Sequence, residues 1–137
     1  MIGSGCTGWA PNAARWFSAK SIWGPWTYHG NPCQGPDSQI TYGGQGTHVL
    51  PVAGKKDAFI FIADKWTPKD AIDGRYLWLP ISFKGDDIEI NWVDNWNLDV
   101  FKNLYSAFSI PHPFGSGNHA FFRSRTSDCG YPFNGVF

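Results

Sequence analysis

Between Thr47 and Val93 the apolar residues fall in short runs broken by turn residues. Within the runs the spacing is that of strands, with none of the roughly 3.6-residue repeat of a helix. Thr47 to Val52 reads as one strand, Ala53 to Asp57 as a hairpin turn, and Ala58 to Ala63 as a second strand. The second strand is apolar at nearly every position, so burial on both faces is expected. Asp64 to Gly74 reads as a loop, Arg75 to Phe83 as a third strand and Lys84 to Asp87 as a turn. Ile88 to Val93 is a fourth strand, with Ile88, Ile90 and Trp92 on one face and Glu89 and Asn91 on the other. Four consecutive strands with short connections predict one blade of a β-propeller. Ala13 to Ala19 and Trp26 to Tyr28 read as the outer strands of a preceding blade, and Ile2 as the end of a further strand. The expected fold is all-β, a partial β-propeller of about one and a half four-stranded blades.

Past Trp96 to Phe101 the pattern changes. Lys102 to Phe108 predicts one short helix carrying Leu104 and Phe108 on a face. From Ile110 onward no period is visible, which predicts an irregular segment. The chain divides into residues 1–101, the partial propeller, and residues 102–137, a tail of unknown role.

The sequence Y-G-G-Q-G, Tyr42 to Gly46, places Gln45 among three glycines at the mouth of the first of the four strands. Glycine allows tight turns and close backbone approach, so Gln45 is a candidate active-site group. The plainer reading is a Gly-rich turn with a solvated amide. His48, on the same strand, reads as a proton shuttle or metal ligand on one view and as a satisfied, partly buried histidine on the other.

Composition narrows the function classes. The chain has 137 residues, enough for one domain with a modest core. Its formal net charge is zero, with 11 basic and 11 acidic residues, which argues against charge-driven binding of nucleic acid or an acidic membrane. No apolar run approaches the ~20 residues of a membrane span. The start, M-I-G-S-G-C, has neither the charged nor the apolar region of a signal peptide. With 8 Trp, 11 Phe and 5 Tyr, the aromatics exceed what a small core needs, and indole faces suit sugar rings. Of the three cysteines, Cys6 and Cys33 both lie in Gly/Pro-rich turns. They form a disulfide candidate, the alternative being two buried free thiols. No Cys/His spacing resembles a zinc site.

Six segments carry a family signature: S-G-C-T-G-W-A-P-N-A-A-R (Ser4 to Arg15), S-I-W-G-P-W-T (Ser21 to Thr27), G-N-P-C (Gly30 to Cys33), T-H-V-L-P-V (Thr47 to Val52), A-F-I-F-I-A-D-K-W (Ala58 to Trp66) and R-Y-L-W-L-P-I (Arg75 to Ile81). In this order they resemble the C-terminal part of glycoside hydrolase family 43, in particular the exo-β-1,3-galactanases (galactan 1,3-β-galactosidases). The resemblance implies a five-bladed β-propeller, an inverting exo mechanism and a β-1,3-galactan partner. It implies an extracellular or periplasmic enzyme. It implies no cofactor; calcium occurs in some relatives, but no ligand set for it is readable here.

Residue by residue, the resemblance aligns Gln45 with a glutamine proposed as the base in the galactanase group. It brings Thr7, Trp9 and Asn12 into a loop that approaches the bound sugar, Trp9 stacking on the ring and Thr7 and Asn12 bonding hydroxyls. The plainer reading of each is a turn residue with local hydrogen bonds. Trp66 is a further stacking candidate, its plainer reading a partly buried core residue. The family's general acid is a glutamate preceding the S-G-C-T-G-W motif. The single glutamate of this chain, Glu89, does not match it. On this reading the chain is a truncated enzyme, inactive alone. Phe59, Phe61, Leu77 and Leu79 are expected to lose packing partners, and open blade edges to favour self-association. Two other readings stay open: a carbohydrate-binding module resting on Trp9, Trp23 and Trp66, and a product without function.

Overall fold

The structure, a computed structural model, describes residues 1–105. They form two antiparallel-rich sheets. The smaller has the order β1 (Ile2–Gly3), β2 (Arg15–Ser18), β3 (Thr27–Gly30). The larger is built from β4 (Cys33–Gln34), β5 (Gln45–Pro51), β6 (Phe59–Lys65), β7 (Arg75–Lys84) and β8 (Asp87–Asn91). Its order is β4-β8-β7-β6-β5, so the four expected strands form a meander and β4 adds to the far edge, parallel to β8. The all-β expectation is met, and the strand limits move by one or two residues.

Register explains which side chains meet. Ala63 pairs with Gly46 and Leu77, and Phe61 with Val49 and Leu79. Side chains alternate across a strand, so this row forms one face of the sheet. Ile81, Ile88, Ile90 and Cys33 continue it, and the cluster takes in Ala14, just before β2, and Trp16 of β2, with Ile2 packed against it. The contact runs through β1, which lies beside β5. Phe59, Phe61, Leu77 and Leu79 are therefore core residues, 7%, 1%, 6% and 2% exposed. This corrects the expectation that they lack partners: they are buried in one core cluster with Ala14 and Trp16. Each such side chain contributes ~1.5–3 kcal/mol by leaving water.

The opposite face of β6 is also buried, as its unbroken apolar run predicts. Ala58 and Ile60 pack with Phe101, and Leu50, Val52, Ile62 and Trp96 lie against them. Phe101 comes from a 3-10 helix, Leu98–Tyr105. Helix thus begins before the expected Lys102, where Phe101 is needed as a lid, while residues 106–108 and the tail lie outside the described residues. The lid is fastened by Trp96, whose indole N–H donates to the Trp78 carbonyl at 2.8 Å.

A second 3-10 segment, Ser38–Gly43, was not legible as an element; the sequence reads there as polar loop. It is kinked, with Thr41 at φ 50° and Tyr42 at φ 56°. Left-handed backbone is costly for both, most of all for β-branched Thr. Surrounding bonds hold it in place. The Thr41 hydroxyl donates to the Asn12 carbonyl at 2.6 Å. The Tyr42 hydroxyl accepts from the Gln34 amide at 3.1 Å and lies 2.9 Å and 2.7 Å from the Gln34 and Ile90 carbonyls.

The disulfide expectation needs correction as well. Cys33 is a buried free thiol. Its place on β4, opposite Ile90, puts it inside the core, whereas Cys6 sits in an exposed loop. Cys6 is disulfide-bonded.

Candidate active site

Gln45 opens β5, as its glycine setting predicts. Two of those glycines are required by close approach. A Cβ on Gly44 would stand 2.9 Å from Leu77 Cδ1 and 3.2 Å from Ala63 Cβ, and one on Gly46 would stand 3.0 Å from the Phe61 ring. The backbone at Gln45 is thereby pressed onto the core, with its own side chain on the other face. Asp64 on β6 is the register partner of Gln45, and Tyr76 on β7 is that of Asp64. This row is invisible in the sequence, because it depends on cross-strand register.

The amide of Gln45 reaches the loop between β1 and β2. Its Nε2 donates to the carbonyls of Gly8 and Ala10, at 2.8 Å each. Both partners are acceptors only, so the amide must present its nitrogen to them. The carbonyl Oε1 is left on the opposite side of the amide. Two carbonyls drawing on the N–H groups polarise the amide and raise electron density on Oε1.

The loop has its own network. Thr7 Oγ1 donates to the Ala10 carbonyl at 2.6 Å and accepts from Asn12 Nδ2 at 2.5 Å. Asn12 Oδ1 accepts from the Gly5 amide at 2.6 Å, and the Ala10 amide donates to the Thr7 carbonyl at 3.1 Å. Thr7 and Asn12 thus shape the turn through local bonds. Trp9, at the tip, is 74% exposed. Its ring centroid is 5.5 Å from that of Trp66, which is 44% exposed and follows directly on β6, with the planes inclined by 35°. Gln45, Thr7, Trp9, Asn12 and Trp66 therefore lie in one neighbourhood built by β5, the end of β6 and the loop.

Other candidates lie apart from this group. Glu89 pairs with Lys84 at 2.7 Å on the β7–β8 hairpin. His48 is exposed rather than partly buried. No set of three or more His, Cys, Asp or Glu among the described residues could hold a metal ion. No helix among them is long and apolar enough to cross a membrane. Thr41 and Tyr42 were missed by the sequence reading. They aim the chain into Gln45, and only their backbone angles and long-range bonds mark them.

No family model and no curated protein matches the chain. Solved structures do. A family 43 β-1,3-galactosidase is 38% identical with a TM-score of 0.72, over 76% of this chain and 22% of that one. A second, solved with galactodeoxynojirimycin, is 49% identical with a TM-score of 0.67, over 71% of this chain and 28% of that one. An exo-β-1,3-galactanase from Phanerochaete chrysosporium, solved with β-1,3-galactotriose, is 32% identical with a TM-score of 0.57, over 65% and 20%. The chain thus spans roughly a quarter of the length of the first two.

Proposed function

We propose that this chain, which resembles part of the family 43 β-1,3-galactosidases, supplies one wall of a glycoside hydrolase site for β-1,3-linked galactan. The similarity to three such enzymes supports the substrate class. The observation that carries the site is the Gln45 amide, tied through Nε2 to Gly8 and Ala10. In that arrangement Oε1 accepts a hydrogen bond from water and aims it at the anomeric carbon. Water adds to that carbon as the glycosidic C–O bond breaks. An acid protonates the leaving oxygen, and the water proton leaves past Oε1 to solvent. This is inverting, exo-acting hydrolysis with an amide in place of the usual carboxylate base. Trp9 and Trp66 stack on the sugar. The acid comes from outside this chain, since Glu89 is engaged by Lys84 on a distant hairpin. The chain alone is then inactive, and the sheets are blades of a larger propeller. The disulfide at Cys6 supports an oxidising compartment, extracellular or periplasmic.

The test is Gln45→Ala in a complete propeller containing this chain. Turnover of β-1,3-galactotriose is expected to be lost while galactose binding persists. Wild-type rates in the variant would refute the base-side role. A second reading, a binding module without chemistry, is favoured by the exposed Trp9–Trp66 pair alone. It predicts sugar binding with no dependence of any turnover on Gln45.

A further inference from the structure

We propose that Gln45 is the positioning residue of the Trp9–Trp66 pair, and that an amide is needed at position 45 because it must donate to two carbonyls at once. This concerns the free protein, and its test uses no sugar, so it stands or falls separately from the galactan reading.

The two carbonyls that Gln45 binds belong to Gly8 and Ala10, the residues on either side of Trp9. Among the described residues, these two hydrogen bonds tie the loop tip, 7–11, to the large sheet. The bonds of Thr7 and Asn12 fix the turn's shape but not its place over β5. Thr41 anchors only the loop's far end, at the Asn12 carbonyl. Trp66 is presented independently, as the residue that follows β6, a strand whose Asp64 is the register partner of Gln45. Gln45 therefore sets the position of one indole against the other.

A carboxylate has no hydrogen to give. Glutamate at position 45 would bring acceptor oxygens against two carbonyl oxygens that now lie 2.8 Å from a donor. The loop tip would lift and Trp9 would leave Trp66. A protonated glutamic acid has one O–H and restores one of the two bonds. Chemistry alone would favour glutamate as the stronger base; holding the loop favours glutamine.

Two indoles 5.5 Å apart couple excitonically and give a paired positive and negative band in far-ultraviolet circular dichroism. Trp9→Phe and Trp66→Phe, each removing one partner, identify that couplet in the full chain. Gln45→Glu is expected to lose it at neutral pH and to regain part of it below the carboxyl pKa of about 4.3. The titratable groups around position 45 are Asp64 and Lys65 on β6 and Tyr76 on β7. They are common to all variants, so wild type taken over the same pH range is the control. Gln45→Met, similar in shape and uncharged, is expected to lose the couplet at every pH, and it carries the test if Gln45→Glu does not fold. A couplet unchanged in the variants overturns the proposal. So does a Gln45→Glu couplet that is lost but does not return on acidification, because donation would then not be the cause.

Discussion

The hydroxyl of Thr41 donates to the carbonyl of Asn12 across 29 residues of chain, at 2.6 Å. Thr41 is 1% exposed, and its backbone lies in left-handed space. The bond joins the end of the Trp9 loop to the segment that delivers Gln45, and it helps hold a conformation that threonine otherwise avoids.

Thr41→Val keeps the shape and removes the donor, leaving a carbonyl without its partner. Stability should fall by ~1–3 kcal/mol, read as a lower denaturant midpoint at unchanged slope. An unchanged midpoint would mean that the bond does not hold the segment.

Gly46→Ala places a methyl 3.0 Å from the Phe61 ring, which is 1% exposed. A loss of about 1–3 kcal/mol is expected from overpacking, measured by the same unfolding curves. Phe61→Leu in the same chain should recover part of it by giving the methyl room. Additive effects would show that the two positions do not touch.

Burial pushes the Cys33 thiol up to about 12, with the Tyr42 hydroxyl acting weakly in the other direction. A folded value above the unfolded one means the thiol favours folding below the unfolded pKa. That contribution is lost as pH rises from about 9 toward 12. Native protein should leave Cys33 unalkylated at pH 8, and unfolded protein should be modified readily. Mass spectrometry of iodoacetamide-treated samples decides this, and fast native labelling would contradict the buried position. Cys33→Ala should flatten the alkaline arm of the stability profile.

Much of this architecture could be read from the sequence, for reasons tied to particular residues. The alternation Ile88-Glu89-Ile90 and the unbroken run Phe59 to Ile62 betray half-buried and fully buried strands, because side-chain direction has a period of two. Gln45 stood out through its glycines, and their close contacts with Leu77 and Phe61 give the physical cause. What escaped depended on distant partners. Strand β4 is two residues long and exists through pairing with β8, as Cys33 meets Ile90. The kinked turn at Thr41 and Tyr42 is held by Asn12, Gln34 and Ile90. Turn composition suggested that Cys6 and Cys33 meet, but composition says nothing of which side of a sheet a thiol occupies. The bond from Asn12 to Thr7 within the loop was equally invisible in the sequence.

The most direct measurement is a titration of the chain with β-1,3-galactotriose, following tryptophan emission and free galactose together. Wild type should show saturable quenching at about millimolar affinity, ~4 kcal/mol, and no release of galactose. Trp9→Ala should abolish the quenching, and Trp23→Ala, in a different loop, should leave it intact. Absent quenching, or equal quenching in Trp9→Ala, would contradict the sugar-facing role of the Gln45 wall. Release of galactose by the chain alone would contradict the assignment of the acid to a part of the enzyme beyond it.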